Sequence, residues 1–411
     1  MAEIDARSVR RATVVLIALR VGYAYNWFDT GPALPSIGAA FSVGPAQLGV
    51  LVAAFLVGAG ALQVPAGLLA RRYGARSVSL AGVGVLAIAG AASAGAPSFA
   101  TLVALRVAAG AGAGLFFSPA IGLVASLYPE GRRGLPVGTF TTAFSAGAAL
   151  GIVGSSVLVP VIGWRAALLV GGAALGLAAL VGLLEVPRAA GRPSPGAPPP
   201  GVPKALRSRA VWAVGFAFVG LEGASFATGQ FIVPFGTIVR GWPIVLAGVV
   251  GMAFVFPSVF GGPVGGPLAE RHANHRAQFA IAVLAAGGLL ALLPWVGIVA
   301  TAAIGIAFSF AYGFVYAVMY VLPHYWRDIS AAEVPLAIGL FNSIQLTGGA
   351  IVSSGFGWVV SVSSYDVAWE YLALVTVATL AVLVALPPTE RGPTGGPRAA
   401  AAGVLPEAPA P

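Results

Sequence analysis

The chain has 411 residues, of which 58% are hydrophobic and only 9% charged, with no cysteine and a formal net charge of +9; its mean hydropathy is +0.93. So small a charged fraction, against about 25% in ordinary soluble domains, excludes a water-soluble globular fold and points to an all-α polytopic membrane protein. The missing cysteine removes disulfide and thiol chemistry, and the basic charge sits in loops between apolar stretches rather than in a nucleic-acid footprint.

Apolar windows of about 20 residues, enough to cross a ~30 Å hydrocarbon core, predict twelve helical spans. They lie near 12–38, 46–69, 77–96, 99–127, 137–160, 164–186, 209–238, 243–268, 277–296, 298–322, 333–362 and 367–387. The first contains TVVLIALRVGYAYNWFDTG, which places Arg20, Asn26 and Asp29 where lipid is expected. A cleaved signal peptide is the competing reading, but Arg20 interrupts the apolar region and no small-residue cleavage site follows. Tyr23 and Trp27 share the Arg20 face. That wall either binds a carboxylate or phosphate of a substrate, or Arg20 snorkels to the interface above packed aromatics.

Span two carries Gln63 and ends in GLLARRYGAR, Gly67 to Arg76. Span four brings Arg106, and counting depth at about 1.5 Å per residue puts it level with Asp29, so the two are expected to pair. Span five holds Gly147 and Gly151 at GxxxG spacing. Residues 187–208 are rich in Pro and Gly with basic ends, a cytoplasmic linker between an N-terminal half (1–186) and a C-terminal half (209–387); 388–411 is expected to be a disordered cytoplasmic tail. Span seven places Glu222 mid-membrane, with Gln230 further on. Arg20 is expected to pair with Glu222 across the halves, or else with a substrate anion. Span eight holds Gly261/Gly265 and Gly262/Gly266 and runs into GPLAERHANHR. Span ten aligns Tyr312, Tyr316 and Tyr320 on one face, and span eleven adds Asn342 and Gln345 as further cavity candidates.

Of the 22 Lys and Arg, 18 fall on the side of the termini and linker, two opposite (Arg165, Arg240) and two within spans (Arg20, Arg106). The positive-inside rule then places both termini in the cytoplasm of a multi-pass plasma (inner) membrane protein. Ionisable groups at mid-helix cost roughly 2.5–3.5 kcal/mol on insertion scales, so Arg20, Asp29, Arg106 and Glu222 are the functional candidates, with Asp29 and Glu222 equally placed to carry a coupling proton, or else the charges form permanent pairs that only orient helices.

GLLARRYGAR and its counterpart GPLAERHANHR follow the second span of each half. The first resembles the loop signature of the major facilitator superfamily, and LVALRVAAGAGAG (102–114) resembles that family's fourth-span motif. The resemblance implies two pseudo-two-fold-related six-helix bundles, a central cavity lined mainly by spans 1, 4, 7 and 10, and alternating access of a small-molecule substrate, with an embedded acid near the span-four arginine as a proton-coupling site. It implies that spans five and eight meet across the halves, so that their glycines form either a sliding contact or ordinary close packing of membrane helices. Two departures stand out: Arg71 occupies the signature's acidic position, and Ile152 stands where the antiporter motif of many drug exporters has proline. Arg71 is expected to pair with Glu130 in reversed polarity or to add only loop charge; Gly67, Arg71, Glu130, Gly266, Glu270 and Arg271 form the expected conformational gate.

The expectation is a monomeric, proton-coupled symporter of a small organic solute, with a drug or metabolite efflux antiporter as the rival and a non-transporting membrane sensor as a third reading. No cofactor beyond the proton gradient and no nucleic-acid partner is expected. His272, His275 and His324 make a weak metal pattern, so no metal is expected. No nucleophile, base and orienter can be picked out, so no enzyme is expected.

Overall fold

The computed structural model describes residues 5–129, 132–191, 204–271, 274–326, 329 and 334–385. Its long helices are α1 (Ala6–Phe28), α2 (Pro45–Tyr73), α3 (Ala75–Ala92) and α4 (Phe99–Ser126), then Gly134–Glu185, which is two helices, α5 and α6, divided at Gly163. The second half has α7 (Arg209–Pro234), α8 in two pieces (Ile244–Ala253 and Ser258–Arg271), α9 (His275–Ala291), α10 (Ile298–Val321), α11 (Val334–Val362) and α12 (Tyr365–Ala378). Among the described residues these are the twelve expected spans.

Local chemistry sets the boundaries. Gly163 adopts φ 78°, a conformation open to glycine, and separates α5 from α6. Gly74, at φ 88°, ends α2. Ser98, Asn274 and Ser364 cap α4, α9 and α12 by accepting from Thr101 N, Ala277 N and Val367 N. Span one is shorter than its apolar window: α1 stops at Phe28, a turn at Gly31–Ala33 carries Pro32, and a short helix Leu34–Phe41 follows. The hydropathy of α1 is diluted by Arg20, Asn26 and its tyrosines, and it is the one span outside the segments long and apolar enough to cross a membrane by composition alone. Large apolar side chains face outward, among them Leu177, Leu184, Ile281, Val299 and Leu374, as lipid requires and water forbids.

Helices approach through glycine. A Cβ on Gly58 would strike the Val107 carbonyl and one on Gly110 the Phe55 carbonyl, so α2 and α4 cross backbone to backbone. Gly147 and Gly151 pack on the Val21 and Tyr25 carbonyls of α1, while Gly261 and Gly265 pack on Phe310 and Phe314 of α10. The expected cross-half sliding contact of these GxxxG pairs is therefore corrected: each pair seals its own half, because its small face points at a neighbouring helix of the same bundle. Gly262 and Gly266 face open space. Between α5 and α8 the halves meet instead at Gly248 and Gly251, against Ser156 and Ile152, and at Ser145 Oγ···Ser258 Oγ, 2.8 Å.

At the far end, opposite the linker, Gly31 packs on the Gln230 backbone and Gly49 on Gly357. A Cβ would meet nothing within 4 Å on Gly95, Gly163, Gly241 or Gly297 at that end, nor on Gly67, Gly134, Gly138 or Gly266 at the linker end. There the signature loop has a structural duty: Arg76 donates from Nε to Val186 O (2.9 Å) and from Nη2 to Leu183 O (2.8 Å), capping the end of α6.

Candidate functional site

Helix α1 forms the axis of the site and presents its two charges to different surroundings. Asp29 lies 3.5 Å from Arg106 of α4, both at most 2% exposed. Thr30 Oγ1 donates to Asp29 Oδ1 (3.0 Å), Arg106 Nη2 donates to the Asn26 carbonyl (3.1 Å), and the Arg106 guanidinium stacks 4.7 Å from the Phe55 ring. The pair expected from helix depth is thus present, held by hydrogen bonds that offset part of its desolvation.

The second expected pair is not formed. Arg20 makes no ion pair with Glu222; its guanidinium carbon lies 4.3 Å from the Phe117 ring centroid, 4.6 Å from Tyr23, 4.8 Å from Phe144 and 5.6 Å from Phe140. The negative faces of four rings take the place of a carboxylate. Arg20 is only 5% exposed, and its Nε and Nη1 have no hydrogen-bond partner. Glu222, 6% exposed, instead accepts from Tyr312 at 2.8 Å on Oε2.

A cavity of about 30 Å3 between the halves is lined by Trp27, Phe28 and Phe144 from one half and by Glu222, Ser225, Phe226, Phe254, Val255, Ser258, Ser309 and Tyr312 from the other. The tyrosine face of α10 continues from it. Tyr312 stacks on Tyr316 (5.8 Å), Tyr316 and Tyr320 share a 2.7 Å hydrogen bond, and Tyr320 exchanges bonds with Asn342, which also accepts from Gln345 (2.7 Å). Arg20 lies within electrostatic reach of Tyr316 and Tyr320 across the cleft.

Of the expected cavity residues, Trp27 and Tyr312 line this cavity, whereas Tyr23, Asn26, Gln230, Tyr316, Tyr320, Asn342 and Gln345 do not. Asn26 is fully buried and donates to the Gly22 and Gly171 carbonyls, locking α1 to α6. Gln230 donates to the Trp27 carbonyl at 2.6 Å, a clasp between α7 and α1. Both lie against backbone because a polar group in lipid is satisfied most cheaply by a close carbonyl. Gln63 is likewise buried, in α2. Glu130, His272 and the side chains of Glu270, Arg271 and His324 lie outside the described residues, so the expected Arg71–Glu130 pair does too. The sequence reading missed Phe117, Phe140 and Phe144; the i, i+4 spacing of Phe140 and Phe144 in span five was the available signal.

A sequence profile of transporters, described as the Major Facilitator Superfamily, matches residues 16–326, well over half of the chain. The chain belongs to this superfamily. By family it is a multi-pass membrane protein. Among superfamily relatives, it is similar to the 4-hydroxybenzoate transporter PcaK of Pseudomonas aeruginosa, 32% identical over 156 residues, covering 38% of this chain and 35% of that protein. It is also similar to the multidrug resistance protein Stp of Mycobacterium tuberculosis, 32% identical over 160 residues, covering 38% and 30%. The chain spans about a third of the length of these curated relatives. Its fold is that of a D-xylose-proton symporter, with a TM-score of 0.73 at 15% identity over 93% of this chain and 99% of the other.

Proposed function

We propose that the protein is a proton-coupled symporter that carries a small organic solute with an anionic group across the plasma (inner) membrane, its termini and linker in the cytoplasm. The observation that carries this reading is the division of the four intramembrane charges. Asp29 and Arg106 form a closed ion pair inside one half, whereas Arg20 faces aromatic rings with donors unsatisfied. A paired acid able to exchange its arginine for a proton is a coupling element. A buried cation lacking an anion is a substrate element. PcaK, a 4-hydroxybenzoate transporter, supplies a relative consistent with an aromatic carboxylate.

In this reading the far end is the external gate, closed where Gly31 packs on the Gln230 backbone and Gly49 on Gly357. No cofactor is needed: the proton gradient drives the cycle. The protein acts as a monomer, since both halves of the cavity come from one chain.

Efflux by proton antiport is the second reading, favoured by the resemblance to Stp. Against it, Ile152 lies in uninterrupted helix, its carbonyl accepting from Ser156 Oγ at 2.8 Å, where the antiporter motif has proline. Reconstitution in liposomes separates the two. Under symport, an inward proton gradient drives uptake of an aromatic carboxylate, 4-hydroxybenzoate or its bipolar counterpart 4-(aminomethyl)benzoate; under antiport, only an outward gradient does. Asp29→Asn is expected to abolish gradient-driven accumulation while substrate exchange without a gradient persists. Undiminished accumulation in that variant would remove Asp29 from coupling.

A further inference from the structure

With Asp29 and Arg106 neutralising each other, two intramembrane charges remain, of opposite sign and one in each half. Arg20 has two donors without partners. Glu222 has one oxygen occupied by Tyr312 and lines the interhalf cavity with Trp27, Phe226 and Tyr312. A carboxylate in a cavity that aromatic side chains also line is chemistry suited to an organic ammonium group. Phe144 joins the two charges: its ring lies 4.8 Å from the Arg20 guanidinium carbon and borders the same cavity as Glu222.

A monoanion would satisfy Arg20 and meet an unscreened carboxylate across the cleft; a monocation would do the reverse. Each leaves one buried charge uncompensated, the costly outcome in a low-dielectric site. We propose that the substrate is bipolar, with its anionic group on Arg20 and an ammonium group on Glu222, so that one molecule bridges the two halves. The proposal rests on the reading of Arg20 as an anion site and adds the opposite end of the substrate. The charges of such a substrate are set apart by a spacer. Arg20 and Glu222 make no ion pair, and Phe144 neighbours both the Arg20 guanidinium and the cavity that Glu222 lines, so the substrate carries its two charges on separate ends of a spacer, which the cavity of about 30 Å3 must widen to admit.

The bridging geometry also gives the substrate a mechanical role. Binding that touches both halves favours the arrangement in which they close on it, so differential affinity for the closed state is built into the ligand.

Isothermal titration calorimetry on the purified full chain tests this with three probes on one ring: 4-(aminomethyl)benzoate, 4-methylbenzoate and 4-methylbenzylamine. The bipolar probe is expected to bind about tenfold or more tightly than either single-ended one, the factor a charge-assisted contact supplies. In Glu222→Gln that advantage over 4-methylbenzoate is expected to fall to about onefold, with 4-methylbenzoate itself binding more tightly because the repelling carboxylate is gone. Equal or weaker binding of the bipolar probe by the unaltered protein overturns the proposal, and this comparison needs no variant to fold. If 4-methylbenzoate binds best and is lost in Arg20→Leu, the anion site stands and the bipolar substrate falls. If none of the three binds, both fall together.

Discussion

Arg20 is a residue that the fold would be more stable without. A guanidinium held among four rings with two donors unsatisfied carries a desolvation cost that cation–π attraction offsets only in part. Replacing it with an apolar side chain is expected to stabilise the protein and remove its activity together. Arg20→Leu should raise the thermal midpoint in detergent, consistent with a gain of about 1 kcal/mol or more, while uptake in liposomes is lost. A lower midpoint would assign Arg20 a structural role. The depth argument placed Asp29 beside Arg106 because it needed only rise per residue. Depth did not pair Arg20 with Glu222 because it says nothing about rotation, and the rings that surround Arg20 come from α1, α4 and α5.

At the scale of the helix, small residues set how close two axes come. Gly58, Gly110 and Gly114 let α2 and α4 touch through their backbones, and a carbonyl cannot move aside as a flexible side chain can. Gly110→Leu is therefore expected to cost about 3 kcal/mol, read as a lower thermal midpoint, whereas Gly84→Leu, at a position with nothing within 4 Å, should change it little. Similar losses from both would show that general helix propensity, not the crossing, is what matters. Helix existence and order were legible from hydropathy, down to the break between spans five and six, where Gly163 stands. Helix partners were not. GxxxG spacing reports that a face is smooth without naming what lies on it, so Gly147 and Gly151 pointed to α1 rather than across the halves.

For the whole molecule, transport requires that contacts between the halves exchange. Ser145 and Ser258 touch across the α5–α8 seam at 2.8 Å, and the chain has no native cysteine, so a disulfide can be placed there on a clean background. Ser145→Cys with Ser258→Cys is expected to cross-link on mild oxidation, to stop uptake nearly completely and to recover with dithiothreitol. Full transport in the oxidised form would mean that this seam does not open during the cycle. The two-half plan was legible from the repeated loop motif and the linker. The state of the two ends was not, since it depends on which of several alternative helix contacts is made, and one sequence encodes all of them.

The far-end seal joins Gly31 to the Gln230 backbone and Gly49 to Gly357, so the closing surfaces are built largely from main chain. Beside the Gln230 side chain's hydrogen bond to the Trp27 carbonyl, such a seal is main chain against main chain. Its strength is a matter of fit, and fit can be graded one carbon at a time: each methyl added at these glycines would hold the lips apart by a fixed small distance. A lineage could therefore retune how long the carrier waits open on one side without touching the residues that read its cargo.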